Sequence, residues 1–278
     1  MPTIGIVTDS TADFPGDARE QLGIEMIPLS VTWDRDSYRD KQDLSTADFY
    51  AMMKQRPSLP KTSAPPVGLI EQTYEELLGR VDRVVSVHLA GKLSGTLDAA
   101  RGAAERVGGG RIAVVDSGNT SMCLGWLAMR AAALGREGAS SEAVVAELEA
   151  MKPRLRLYAV LDSLENLQKG GRIGRAQALL GSLLNFKPLI TIRDGAVLPV
   201  ERPRSRQAAM RRIADVVASQ GSVVRVGVLH GGLPEVQGDL ERVVRERLPD
   251  AALDRGEIGS VLGTHAGPVF GVMALLAE

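Results

Sequence analysis

The sequence predicts an α/β protein in two parts: an N-terminal parallel-sheet α/β domain over residues 1–152 and a C-terminal α/β domain with a mixed or antiparallel sheet over 153–278. Three features carry this expectation. The chain has 278 residues, enough for two medium cores. Short β-branched runs alternate with helical patterns in its first half, as parallel sheets require. After Pro153 the texture changes, because ITIRDGAVLPV sets Asp194-Gly195 between alternating apolar runs and reads as a tight hairpin.

The strands of the first half are TIGIVT (3–8), RVVSVHL (83–89) and RIAVVD (111–116), apolar enough to be buried on both faces. Helical spacing of apolar residues marks 46–56, 67–79, 94–107 and 121–135 between and after them. In the second half, helical patterns at 205–219 and 234–247 flank a further strand at 223–229. The stretch 176–186 carries no charge and follows a basic glycine loop, LQKGGRIGR. It reads either as a plain core helix or as a helix walling an apolar cavity. No solenoid repeat or low-complexity tract interrupts the chain.

Composition excludes several functions. With 33 Lys+Arg against 34 Asp+Glu, no global field favours nucleic acid, and a DNA-binding regulator is disfavoured. Cys123 is the single cysteine, so no intrachain disulfide and no multi-cysteine zinc site is expected, which fits a reducing cytoplasm. No apolar run is long enough to span a membrane, and the opening MPTIGIVTDS reads as a strand rather than a signal peptide. The histidines, His88, His230 and His265, lack the spacing of a metal-binding pair, so no metal is expected. His88 and His230 fall on strands and read as structural, satisfied side chains. His265, between glycines in GTHAGP, reads as a loop residue presented to a ligand.

Three loops gather hydroxyls near strand ends or helix starts: Asp9-Ser-Thr, Thr62-Ser-Ala-Pro-Pro and Ala90-Gly-Lys-Leu-Ser-Gly-Thr. Each is either a helix cap or part of an anion site, since exposed first-turn amides and the helix dipole favour both. The glycine loop lacks a Rossmann or Walker pattern. Gly91-Lys-Leu-Ser94-Gly95 carries one residue too many before the serine for a hydrolase elbow, and the string Ser58-Leu-Pro-Lys61 is broken by its proline. Lys169, Arg172 and Arg175, with Arg202, Arg204 and Arg206, form either a solvated basic face or a dock for an acidic or phosphorylated partner.

Taken together, IVTDSTADFP (6–15), KTSAPPVG (61–68), KLSGTLDAAR (92–101), VVDSGNTSMCLGWLA (114–128), LENLQKGGRIGRAQALLGSLLNFKPLI (164–190) and GTHAGP (263–268) resemble the DegV family of bacterial fatty-acid-binding proteins. The resemblance implies a DegV-like two-domain fold. It also implies one long-chain fatty acid, its carboxylate between the domains and its tail in an apolar tunnel. The partner it implies is a dihydroxyacetone-kinase-like fatty acid kinase that phosphorylates the carboxylate for phospholipid metabolism, with no cofactor, metal or catalytic residue in this chain. No nucleic acid and no membrane span are expected, any membrane contact being transient. By the same resemblance Thr62, Ser94 and His265 bind the carboxylate, with Ser63, Gly95 and Thr96 as further loop contacts. Leu179, Leu180, Leu183, Leu184 and Phe186 would line the tail tunnel, and Arg172 and Arg202 would face the kinase. Ala90-Gly91 and Ala64 stand where the family usually carries two serines and a glutamine, leaving fewer hydroxyls at the rim. A serine-dependent acyl hydrolase using Ser94 and His265 is the alternative.

Overall fold

The computed structural model describes residues 3–179 and 186–278. In chain order the first half runs β1 (Ile4–Asp9), α1 (Ala18–Leu22), β2 (Glu25–Ile27), β3 (Ser30–Trp33), β4 (Asp36–Arg39), α2 (Thr46–Gln55), β5 (Lys61–Ser63), α3 (Val67–Leu78), β6 (Arg83–His88), α4 (Thr96–Val107), β7 (Ile112–Asp116), α5 (Ser121–Arg136) and α6 (Ser141–Met151). The second half runs β8 (Leu155–Leu161), α7 (Glu165–Lys169), a 3-10 segment at Gly174–Leu179, β9 (Leu189–Arg193), β10 (Ala196–Glu201), α8 (Arg206–Ala218), β11 (Val223–Gly231), α9 (Gln237–Arg247), β12 (Ala252–Glu257), α10 (Ser260–Ala266) and β13 (Val269–Leu276).

The N-terminal sheet has the order β2-β1-β6-β7 with every pair parallel. Its runs were expected from their β-branched content. β2, helix α6 and the small antiparallel sheet β4-β3-β5 were not. The C-terminal sheet has the order β10-β9-β8-β13-β11-β12; only β11–β12 is parallel. The hairpin between β9 and β10 turns at Asp194 and Gly195, both at positive φ (50° and 70°), the geometry of a two-residue turn that follows sheet twist.

Alternation along the C-terminal strands assigns their two faces. Tyr158 and Val160 of β8, with Phe270, Val272 and Ala274 of β13, pack under α8 and α9. Leu157, Ala159 and Leu161, with Val269 and Met273, face the first half of the chain and join a core that includes Val87, Trp126 and Leu127. Helix α5 lies between the two sheets. Helices α3 and α4 cover the far side of the parallel sheet around Tyr74 and Ile70. No helix among the described residues is long and apolar enough to cross a membrane.

Candidate functional site

The layer between the sheets is not fully packed. It holds a cavity that opens to solvent at one end, with about 980 Å³ of empty space when the solvent at its open end is included. Its apolar wall is the first-half-facing side of the C-terminal sheet: Leu157 and Ala159 of β8, Ile190 and Ile192 of β9, Val197 of β10, Val269 and Met273 of β13. Residues two apart on a strand share a face, so the same alternation that builds the core builds this wall. At the mouth stand Thr62, Ser63, Ser94, Gly95, Arg172 and His265. A second, more polar groove shares Thr62, Arg172 and His265 and adds Ser58, Lys61, Asn166 and Lys169.

Four of the mouth residues, Thr62, Ser94, Arg172 and His265, have an identifiable support. Thr62 lies in β5, whose partner β3 pairs Val31 with Thr62. Thr62 Oγ1 and His265 Nε2 are 2.8 Å apart, a bond between residues 203 positions apart in sequence. Ser94 Oγ lies 2.9 Å from Thr96 Oγ1 and accepts from the Thr96 amide at 3.3 Å. Thr96 is buried and holds Ser94 rather than lining the cavity, a correction to its expected role as a contact. Arg172 donates to Leu93 O (3.2 Å) and Gly170 O (2.8 Å), so it clips the Ser94 loop while lining the mouth. The expectation had it turned only toward a partner.

His265 is not in a loop. It occupies the last turn of α10, partly buried. The glycine that suggested a loop, Gly263, is there for close packing: a Cβ would lie 2.4 Å from Tyr50 Oη and 2.7 Å from Phe49 Cε1. Gly170 serves His265 likewise, since a Cβ there would meet its Nδ1 at 2.4 Å. Burial, with repulsion from Arg172 second, takes the His265 pKa from 6.5 down to about 4. The imidazole is therefore neutral at neutral pH.

That depressed value sets a pH dependence. Between pH 6.5 and 4 the unfolded chain binds a proton at His265 that the folded chain does not, so stability is complete above 6.5 and falls as pH drops toward 4. We expect the fall in melting temperature from pH 7 to pH 4.5, on delipidated protein, to be smaller for His265→Gln than for wild type. Equal falls would contradict the assignment.

The residues expected to wall the tail lie in and beyond a 3-10 segment. The 3-10 turns at Gly174–Leu179 replace the start of the expected helix, and neither Leu179 nor Phe186 is among the described residues lining the cavity. Both belong to the adjoining apolar cluster, with Leu179 buried in it and Phe186 packed against it. Leu180, Leu183 and Leu184 lie outside the described residues. Arg202 donates to Ala178 O (2.6 Å) and sits over the Phe186 ring at 5.9 Å, so it is tied to this segment. No hydrogen bond joins Ser94 to His265 among the described residues, as a hydrolase pair would need.

The Asp9-Ser-Thr loop is neither a helix cap nor part of the mouth. Asp9 accepts from Thr11 N and Oγ1 (3.0 and 2.6 Å) and from Leu89 N (2.9 Å), and pairs with His88 Nδ1 (3.0 Å). Burial alone would raise its pKa, but these donors hold it below the usual carboxylate range. His88 is satisfied as expected, its Nε2 lying 2.8 Å from Ser86 Oγ. His230 departs from expectation, with a buried Nδ1 that has no hydrogen-bond partner among the described residues.

Sequence reasoning missed an ionic hub behind the mouth. Asp13, 1% exposed, takes Lys41 Nζ at 2.9 Å, Ser121 Oγ at 2.7 Å and Gly259 N at 3.2 Å. It thereby ties together the starts of α5 and α10, and α10 carries His265. Lys41 also donates to Ala12 O at 2.8 Å. Burial opposes its charge, yet Asp13 and Asp40 raise its pKa above the ordinary value. The signal was present in Asp13 and Lys41, but only folding brings positions 28 apart into contact.

A family model described as an uncharacterised protein of the DegV family matches residues 3–277. The chain belongs to the DegV family. Protein DegV of Bacillus subtilis (strain 168) is 38% identical over 268 residues, covering 95% of each chain. Among solved structures, a DegV family protein from Thermus thermophilus, described by its fatty acid binding, superposes with a TM-score of 0.91 at 35% identity, over 99% of this chain and 100% of that one. DegV from Bacillus subtilis, described as a fatty acid binding protein, superposes with a TM-score of 0.89 at 36% identity, over all of both chains. The two-domain architecture of this DegV family member is thus that of its relatives.

Proposed function

We propose that this protein binds one long-chain fatty acid, carboxylate at the mouth formed by Thr62, Ser94, Arg172 and His265 and alkyl tail along the C-terminal sheet. It presents the carboxylate to a fatty acid kinase of the dihydroxyacetone-kinase type for acyl-phosphate formation in phospholipid metabolism. It works in the cytoplasm without a cofactor and without catalytic residues of its own. The observation that carries this reading is a single cavity with hydrocarbon walls and a polar, cationic mouth. The fatty-acid-binding relatives add support.

Magnitudes favour the same division of labour. Burying about 14 methylenes at roughly 0.8 kcal/mol each offers on the order of 11 kcal/mol, against an association cost of about 4 to 15 kcal/mol. Tail burial dominates affinity, and the carboxylate fixes orientation. The polar groove beyond the mouth, with Lys61, Lys169 and Arg172, gives a phosphoryl donor access from outside.

Mass spectrometry of the gently denatured recombinant protein should find close to one acyl chain per molecule. Protein that carries none, and takes up no palmitate on titration, would overturn the reading. Thr62→Val and Ser94→Ala should each weaken binding about tenfold or more, since a charge-assisted hydrogen bond nets about 1.5 to 3 kcal/mol. Wild-type affinities measured by fluorescent fatty acid displacement would contradict that. Arg202→Glu should lower kinase turnover at unchanged lipid content; unchanged turnover would remove Arg202 from the docking face.

A further inference from the structure

The cavity has a second polar pole. Thr120 and Ser121 line it at the start of α5, a helix of 16 residues, and they are 4% and 2% exposed, whereas Arg172 and Ser63 at the mouth are exposed. This pole is therefore shut away from solvent. Thr120 Oγ1 is buried and has no hydrogen-bond partner among the described residues, and Thr120 gives α5 no side-chain cap. The Ser121 hydroxyl is already committed to Asp13 at 2.7 Å, and the Ser121 amide to Thr11 O at 3.0 Å. The Thr120 amide donates to Asn119 Oδ1 (3.1 Å), which leaves its hydroxyl as the uncommitted polar group of this cavity-lining residue.

A buried hydroxyl beside the positive end of a helix dipole is matched by an oxygen, not by a methylene. The Asp13 carboxylate bonded to Ser121 is already paired with Lys41, so that cation is not left over to hold a second anion here, and the matching oxygen is neutral. We propose that this pole is a subsite for a neutral oxygen function, a hydroxyl or keto group, carried along the acyl chain. The protein then distinguishes oxygenated from plain fatty acids of equal length. This inference rests on the fatty acid reading above and adds a specificity determinant to it.

The test uses delipidated full-length protein, palmitic acid, a positional series of monohydroxypalmitic acids, and hexadecanedioic acid, each measured by competition. For wild type, Thr120→Val and Thr120→Ser, the readout is the affinity ratio of each oxygenated acid to palmitic acid, not either affinity alone. One hydrogen bond at about 1 kcal/mol sets the scale. At least one hydroxy isomer should therefore lose roughly fivefold or more of its ratio in Thr120→Val and keep it in Thr120→Ser. The diacid should gain nothing from Thr120. Ratios equal across the three proteins for every isomer, as when a water already serves Thr120, would overturn the inference while leaving palmitate binding intact. Failure of palmitate itself to bind would instead overturn the fatty acid reading. If melting curves show that Thr120→Val does not fold, Thr120→Ala takes its place: a hydroxy-acid ratio that falls in Thr120→Ala and is kept in Thr120→Ser supports the inference, and a ratio unchanged in Thr120→Ala overturns it.

Discussion

Ala159→Phe should empty the cavity of long acyl chains while leaving a folded protein. Ala159 is 8% exposed in the middle of β8, flanked by Gly271 of β13 and Ile190 of β9, and its methyl forms part of the cavity wall. A benzyl group grown from that wall takes the space of several methylenes. Losing about half of a 14-methylene tail costs on the order of 5 kcal/mol, or more than a thousandfold in affinity. Overpacking costs a core about 1 to 3 kcal/mol when nothing can yield, and here the added ring grows into empty space. Acyl content by mass spectrometry should drop below about a tenth of wild type, with a cooperative melt retained. Full acyl occupancy in a folded Ala159→Phe protein would contradict the placement of the tail along this sheet.

Lys41→Met should be among the most destabilising single changes in the molecule. The Asp13 carboxylate it leaves behind is 1% exposed and keeps only neutral donors, Ser121 Oγ and Gly259 N. Removing one partner of a buried ion pair costs about 3 to 5 kcal/mol, because the remaining charge is desolvated without compensation. Denaturant unfolding should show a loss of about 3 kcal/mol or more, and Lys41→Met with Asp13→Asn should recover part of it. Since Asp13 anchors the start of α10, the single variant should also bind palmitate more weakly through a displaced His265. A loss below about 1 kcal/mol would mean that the pair behaves like a surface salt bridge.

Legibility in the sequence followed the strength of local signals. Runs such as RVVSVHL and the Asp194-Gly195 turn were readable because β-branched content and turn chemistry act over a few residues. The three-residue strand Lys61–Ser63 was not, since KTS has no periodicity and becomes a strand only by pairing with Ser30–Trp33. Gly263 misled because a glycine that admits Tyr50 against a helix looks the same as one that loosens a loop. The apolar cavity wall escaped notice for a related reason. Strands covered on both faces show no polar alternation, so Leu157 and Ala159 could not be told from Tyr158 and Val160, although only the first pair faces the cavity. Thr62, Ser94 and His265 were found through motif resemblance, and the structure brings all three to one mouth.

β13, late in the sequence, sits in the middle of its sheet, hydrogen-bonded to β8 on one side and β11 on the other. A ribosome therefore delivers the keystone of the cavity wall after nearly everything it supports. Until that strand inserts, an emerging chain offers an open slot rather than a closed vessel, so the proposed lipid would load only onto the finished molecule.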